Sequence, residues 1–311
     1  MHTQIRHSAP FSKGYEPLVD RKGQDGDMLM DFGHVLLSRG ETWSSPPGLE
    51  RAVLLALGKV EFSWGQEDTA VAERRSLFDE NPTVLSLPGG ASARATALSD
   101  SVELYVVATD NPGDFAPRLY LPQECFGEER GKGTMKEAST RIVRTSFDDR
   151  NAVFSNLVLG EVVGAPGRWS SYPPHHHPQP EIYHYRFLPA QGFGLTAIGE
   201  TPCLLRDKDT ILIRDGEDHP QVTAPGYAMW YLWAIRHLEG DRYGTPEFNP
   251  DHVWVGAKDA EIWDLPSERK DAGARPQLPV TSAAPATAAP AAGKHSPKGG
   301  KIGRASCRER V

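Results

Sequence analysis

Cysteine is scarce in this chain. Its 311 residues include three, Cys125, Cys203 and Cys307, far apart and odd in number. That excludes a disulfide-framed fold and fits a reducing compartment such as the cytoplasm. Long apolar runs are missing as well: no stretch approaches the ~20 residues that span a bilayer as a helix. The opening Met1-His2-Thr3-Gln4-Ile5-Arg6-His7 lacks the apolar core of a secretory leader. Positive charge is in deficit, with 34 Lys and Arg against 41 Asp and Glu, a formal net charge of -7. No basic stripe is left to neutralise nucleic-acid phosphates. A sustained i, i+3, i+4, i+7 apolar pattern is also absent, which argues against a helical architecture. A single turn near residues 121–126 is the most helix the pattern supports.

What is present reads as strands. The 30 Gly and 26 Pro punctuate short apolar runs at 28–37, 83–87, 102–107, 152–163, 181–187, 193–198, 210–214 and 228–235. Residues 51–57 and 59–64 flank Gly58 and read as a hairpin. Short strands at this spacing predict an all-β sandwich or barrel. Residues 1–25 are polar and Gly-rich, read as a loosely attached arm. From 264 the composition turns to Ala, Pro, Gly and Lys, the signature of a disordered tail, and 301–311 resembles translated sequencing-adapter sequence.

The chain repeats itself. Trp43-Ser44-Ser45-Pro46-Pro47 returns as Trp169-Ser170-Ser171-Tyr172-Pro173-Pro174, 126 residues later. The run from Gly89 to Ala97 returns from Gly216 to Ala224, at an offset of 127. Two matches at nearly one offset predict a duplication and two similar barrels, at 26–145 and 146–263. The halves differ in chemistry. Where the second half has His175, His176 and His177, the first has Gly48, Leu49 and Glu50; where the second has His219, the first has Ser92. A metal is therefore expected in the second barrel, with the first structural.

On a strand, alternate residues share a face, so His175 and His177 point together and His176 points away. Glu181 follows four residues after His177, beyond Pro178-Gln179-Pro180, and the turn there decides whether it comes round to them. His219, just after the strand at 210–214, is the candidate fourth ligand. Three imidazoles and one carboxylate suit zinc, manganese, iron(II), cobalt or nickel. Tyr183 and Tyr185 share the face of Glu181, and Arg186 falls on the other face of that strand.

His-x-His-x3-Glu followed about forty residues later by Gly-x-x-His resembles the two boxes of the cupin superfamily. Trp169 to His175, Glu181-Ile182-Tyr183, Tyr185-Arg186-Phe187, Pro189-Ala190-Gln191-Gly192-Phe193, Arg130 to Thr134 and Asn249 to Trp254 are similar to segments of the 5-deoxy-glucuronate isomerase family of inositol catabolism. The resemblance covers about residues 25–260. It departs in the short Pro178–Pro180 link, in His176, and in one extra residue before His219. It implies a bicupin (two jelly-roll barrels) and an aldose–ketose isomerisation of 5-deoxy-D-glucuronate to 5-dehydro-2-deoxy-D-gluconate. It further implies a divalent metal, zinc or manganese first, and a role in cytoplasmic carbohydrate metabolism. Such an isomerisation needs a base, for which Tyr183, Tyr185 or a metal-bound water are candidates. It also needs a cation for the substrate carboxylate, for which Arg130, Arg141, Arg144 and Arg186 are candidates, Arg130 and Arg141 ranked first because Arg186 falls on the other strand face. The expected partner is a small sugar acid, with no nucleic acid and no membrane; self-association into a homo-oligomer stays open. An iron-dependent cupin dioxygenase and a non-catalytic sugar-binding cupin are the alternatives.

Overall fold

The computed structural model describes residues 2–214 and 216–268. Among these residues there are β-strands and short 3-10 turns but no α-helix, so none is long and apolar enough to cross a membrane. One compact unit spans Met1–Ile262; a second begins at Trp263. Of the tail expected from 264, only 264–268 are described, with a 3-10 turn at Pro266–Glu268; the adapter-like 301–311 and Cys307 lie outside the described residues.

The first unit contains two sets of antiparallel strands built to one plan. In the first, Arg118–Tyr120, Val84–Leu87, Glu50–Trp64, Ser101–Thr109, Met30–Ser38 and Gly14–Val19 lie side by side in that order. In the second, the order is Gln4–Ile5, Thr210–Ile213, Glu181–Leu188, Ala228–Arg236, Leu157–Gly164, Arg141–Phe147 and Phe126–Arg130. Ser101–Thr109 and Ala228–Arg236 stand 127 residues apart, as do the starts of Met30–Ser38 and Leu157–Gly164 and of Gly14–Val19 and Arg141–Phe147. A smaller set of strands completes each barrel: Thr42–Ser45, Ala93–Ala97 and Asp68–Arg74 in the first, and Trp169–Ser170, Gln221–Thr223, Phe193–Ile198 and Thr201–Arg206 in the second. The expected hairpin at Gly58 is instead one 15-residue strand, Glu50–Trp64, which serves both sheets of the first barrel. Gly58 bends it at φ +98, where a Cβ would meet the Ser101 carbonyl at 2.3 Å.

The two sheets close the equivalent edge differently. Gln4–Ile5 precedes the first repeat but pairs with Thr210–Ile213 of the second. Arg118–Tyr120 follows the first repeat and closes the edge of its own sheet on Val84–Leu87. An open edge exposes unpaired N–H and C=O groups, and these short segments cover them. Two expectations change as a result. Residues 1–25 are not a loose arm, because Gly14–Val19 is a strand of the first barrel and Gln4–Ile5 of the second. The second barrel starts earlier than 146, because Phe126–Arg130 and Arg141–Phe147 pair within its sheet.

Three apolar cores follow from strand alternation. One lies between the two large sheets, with Met30, Phe32, Leu54 and Tyr105 from the first half and Leu159, Ile182, Trp230 and Leu232 from the second. The interior of the first barrel is aliphatic apart from Phe62 and includes Val35, Val53, Leu55, Leu85 and Leu104. The interior of the second carries Tyr183, Tyr185 and Tyr231 among Ile198, Leu205 and Ile211. Charges are also locked between the halves. Glu161, fully buried, accepts from Arg74 at 2.6 Å and Arg144 at 2.8 Å, and both arginines also donate to carbonyls of residues 77–80.

Candidate active site

His175–His176 is a two-residue strand paired with Glu247–Phe248, and Pro178 and Pro180 prevent it from continuing. The link is held at both ends. Gly216 N–H donates to the His177 carbonyl at 3.2 Å and Arg236 N–H to the Pro180 carbonyl at 3.1 Å. The next strand then begins at Glu181, flanked by Ile213 and Ile235. This turn brings Glu181 round: its Oε2 lies 3.2 Å from His177 Nε2 and 3.5 Å from His219 Nε2. His177, Glu181 and His219 are all buried and offer ligand atoms within 4.8 Å of one another. His175 stands beside this group, its ring centroid 4.8 Å from that of His219. His176 turns away, as strand parity predicts, and bonds Asp218 Oδ1 at 2.9 Å.

The hydrogen bonds around these rings prepare them as ligands. A carbonyl can only accept, so His219 Nδ1–H donates to the Glu217 carbonyl at 2.8 Å and His175 Nδ1–H to the Pro173 carbonyl at 3.2 Å. Each ring therefore keeps the Nε2 lone pair free, the form a metal takes. His219 Nε2 is a buried atom with no hydrogen-bond partner. Burial, with the neighbouring histidines, holds the His175 imidazole far below its usual range; burial also lowers His219 against the opposing pull of Glu181. Both rings are neutral at physiological pH. The residues present therefore fit a divalent cation: His177, Glu181 and His219 converge around the buried, unpartnered Nε2 of His219, with His175 beside them.

His175, His177 and Glu181 line an inner cavity of about 160 Å³; a neighbouring chamber of about 570 Å³ shares Arg130, Thr145, Asp148, Arg150, Tyr243 and Gly244 with its wall. The four candidate arginines divide clearly. Arg141 is buried and lines the inner cavity; its Nη1 donates to the carbonyl and the hydroxyl of Ser139, both at 2.8 Å, and it bonds no carboxylate among the described residues. Arg130 lines both chambers but is exposed and paired with Glu128. Arg144 is committed to Glu161. Arg186 is committed to Glu103 at 2.9 Å and Asp207 at 3.4 Å, on the far strand face.

The two candidate tyrosines separate too. Tyr183 lines the cavity, with its hydroxyl 3.1 Å from Ser171 Oγ, and burial followed by the charge of Glu181 pushes its pKa well up. Tyr185 does not reach the cavity. Its hydroxyl is buried without a partner beside Tyr231, so it is corrected to a packing residue. Sequence reasoning missed Tyr231, Arg150 and Tyr243 as lining residues. Tyr231 lies on a continuous apolar strand, and Arg150 and Tyr243 lie in polar loops, where neither alternation nor spacing marks them. His34, His184 and His237 are buried elsewhere: His184 bonds Thr210 and Tyr105, and His34 faces Glu103. Cys125 and Cys203 are free.

Similarity to known proteins agrees with this geometry. The chain is 29% identical over 249 residues to the 5-deoxy-glucuronate isomerase of Geobacillus kaustophilus, covering 72% of this chain and 84% of that protein. To the 5-deoxy-glucuronate isomerase of Halalkalibacterium halodurans it is 24% identical over 268 residues, 79% of this chain and 96% of that one. Its fold matches an IolB-like protein from Salmonella typhimurium with a TM-score of 0.73 at 24% identity, over 83% of this chain and all (100%) of the other. It also matches an oxalate decarboxylase from Lactobacillus farciminis, with a TM-score of 0.61 at 10% identity, over 80% and 88%. These likenesses fix the architecture as a pair of cupin barrels. The KduI/IolB family model matches residues 5–255, almost the whole two-barrel unit, and the chain belongs to that family of isomerases.

Proposed function

We propose that the protein is a metal-dependent aldose–ketose isomerase that converts 5-deoxy-D-glucuronate to 5-dehydro-2-deoxy-D-gluconate in cytoplasmic inositol catabolism. The observation that carries this reading is a single cavity with two unlike demands. At one end is the His177–Glu181–His219 group, joined by His175; in the wall is Arg141, a buried cation with no acid of its own. A sugar acid meets both. Its carboxylate supplies the charge that Arg141 lacks, and its carbonyl end faces the histidines. His177, Glu181 and His219, with His175 beside them, would hold a divalent cation, zinc or manganese first, which would lower the cost of negative charge developing on oxygen as a proton moves between C1 and C2.

The remaining work belongs to the chain. Arg141 orients the substrate. Arg130, tied to Glu128 at the junction of the two chambers, is placed to receive the carboxylate on entry. Tyr183, protonated and held by Ser171, forms the wall beside Glu181. The relatives named as 5-deoxy-glucuronate isomerases support the substrate, and the donor set supports the metal.

The test is metal analysis of the purified protein, then an assay on 5-deoxy-D-glucuronate before and after chelation. Turnover is expected to vanish with the metal and to return on adding zinc or manganese. Full turnover by protein stripped of metal would sink the proposal.

A further inference from the structure

The C-terminal loop of the second barrel brings one more group to the cavity. Tyr243 follows a tight bridge between Leu238 and Asp241. Its own N–H donates to His237 Nδ1 at 2.9 Å. Next to it, Arg242 bonds both carboxylate oxygens of Asp149 and the Ser155 carbonyl. The backbone that carries the ring is thus pinned from both sides. The ring meets His177 nearly edge-on, with centroids 4.8 Å apart and planes at 68°. It lines both the cavity that holds His177 and the neighbouring chamber, in the wall the two share.

The tyrosine hydroxyls of this barrel are otherwise in use or out of reach. Tyr183 bonds Ser171, and Tyr231 lies 2.6 Å from Ser170 Oγ. Tyr185 is sealed away from the cavity. Tyr243 is the cavity tyrosine whose hydroxyl bonds to no other residue among those described. A pinned ring against a candidate metal ligand, with its one donor left uncommitted, is the arrangement of a group kept for substrate.

We infer that Tyr243 is a catalytic residue, its phenol O–H donating a hydrogen bond to the substrate oxygen on which negative charge develops in the enediol-forming step. No proton leaves the phenol and no bond to it is made; the group acts as a neutral donor, stronger toward the charged oxygen than toward the ground-state carbonyl. This rests on the isomerase reading above.

The test is Tyr243→Phe, which keeps the ring and removes the donor. It is assayed with 5-deoxy-D-glucuronate, together with metal content and the affinity for the hydroxamate analogue of the sugar acid, a mimic of the enediolate. Loss of one donor to a developing oxyanion lowers kcat by about 10²-fold. The expected result is that loss with KM within about threefold, unchanged metal content, and hydroxamate binding weakened at least tenfold. Wild-type turnover together with wild-type hydroxamate affinity in the variant would overturn the inference. So would a fall in kcat that tracks loss of metal, since Tyr243 would then only support His177. If the wild-type protein fails to turn over the substrate while Tyr243→Phe still weakens the hydroxamate, the substrate assignment fails and the Tyr243 contact stands.

Discussion

The two barrels share a frame and differ inside it. Ala108 of the first and Ile235 of the second stand 127 residues apart; the first pairs with Arg51 and the second with Glu181. By the same register Val53 takes the place of Tyr183, and Leu55 that of Tyr185. A cation thus stands where the second barrel has its carboxylate. Arg51 is buried, reaches the Pro88 and Ala91 carbonyls, and so ties down the loop 88–91. The corresponding loop of the second barrel ends in His219. The comparison teaches that strand order and register are compatible with either a largely aliphatic interior or a polar cavity. A few inward positions at one end decide between them.

That contrast can be attacked at its centre. His219→Ala or Glu181→Gln is expected to empty the metal site and to lower turnover by about 10³-fold or more, the several kcal/mol a bound cation contributes to a charged transition state. Ser92→Ala, at the first-barrel place of His219, is expected to leave both metal content and turnover within twofold. Elemental analysis and the isomerase assay on the same preparations check the pair; an equal loss in Ser92→Ala would abolish the asymmetry.

A smaller effect is expected where the barrels meet. Glu161→Gln leaves Arg74 and Arg144 buried without their shared counter-charge, and breaking such a network costs about 3–5 kcal/mol. Urea denaturation followed by tryptophan fluorescence should show one transition shifted to lower urea, because the network joins both halves. Two separate transitions would mean that the barrels are less dependent on each other than their shared core suggests.

Smallest is the effect of Arg51→Met. It strands the Pro88 and Ala91 carbonyls and is expected to lower stability by about 1–3 kcal/mol with turnover and metal content unchanged. Thermal melting checks the stability and the assay checks the rest. A loss of activity without a loss of stability would show that the first barrel takes part in the chemistry.

Much of the candidate site was legible because its parts lie close in sequence. His175, His177 and Glu181 fall within seven positions, and strand parity excluded His176 correctly. The repeat then singled out His219. Tyr185 shows where parity stops. It does face the same interior as Tyr183, but two residues along a strand is roughly 6.6 Å, enough to carry it from the cavity wall into the packed core. Alternation gives the face, not the depth. The edges of the barrels were misread for another reason: Gln4–Ile5 and Phe126–Arg130 are short, and what makes them strands is the open edge each one meets.

The sequence by itself determined the all-β duplicated frame and singled out the histidines and the glutamate that the second barrel gathers into the candidate site. These follow from local periodicity, an internal repeat and ligand spacing, none of which needs a distant partner. Only the tertiary structure decided which arginine lacks an acid among the described residues and which tyrosines line the cavity. Strand parity had already set Arg186 apart, but Arg141 and Arg144 look alike along the chain; Glu161 arrives through the fold to neutralise Arg144 and leaves Arg141. Tyr243 reaches His177 from a loop more than sixty residues away in sequence. A charge or a hydroxyl is committed or free according to what lies within about 3 Å of it, and across such distances along the chain the fold alone sets that.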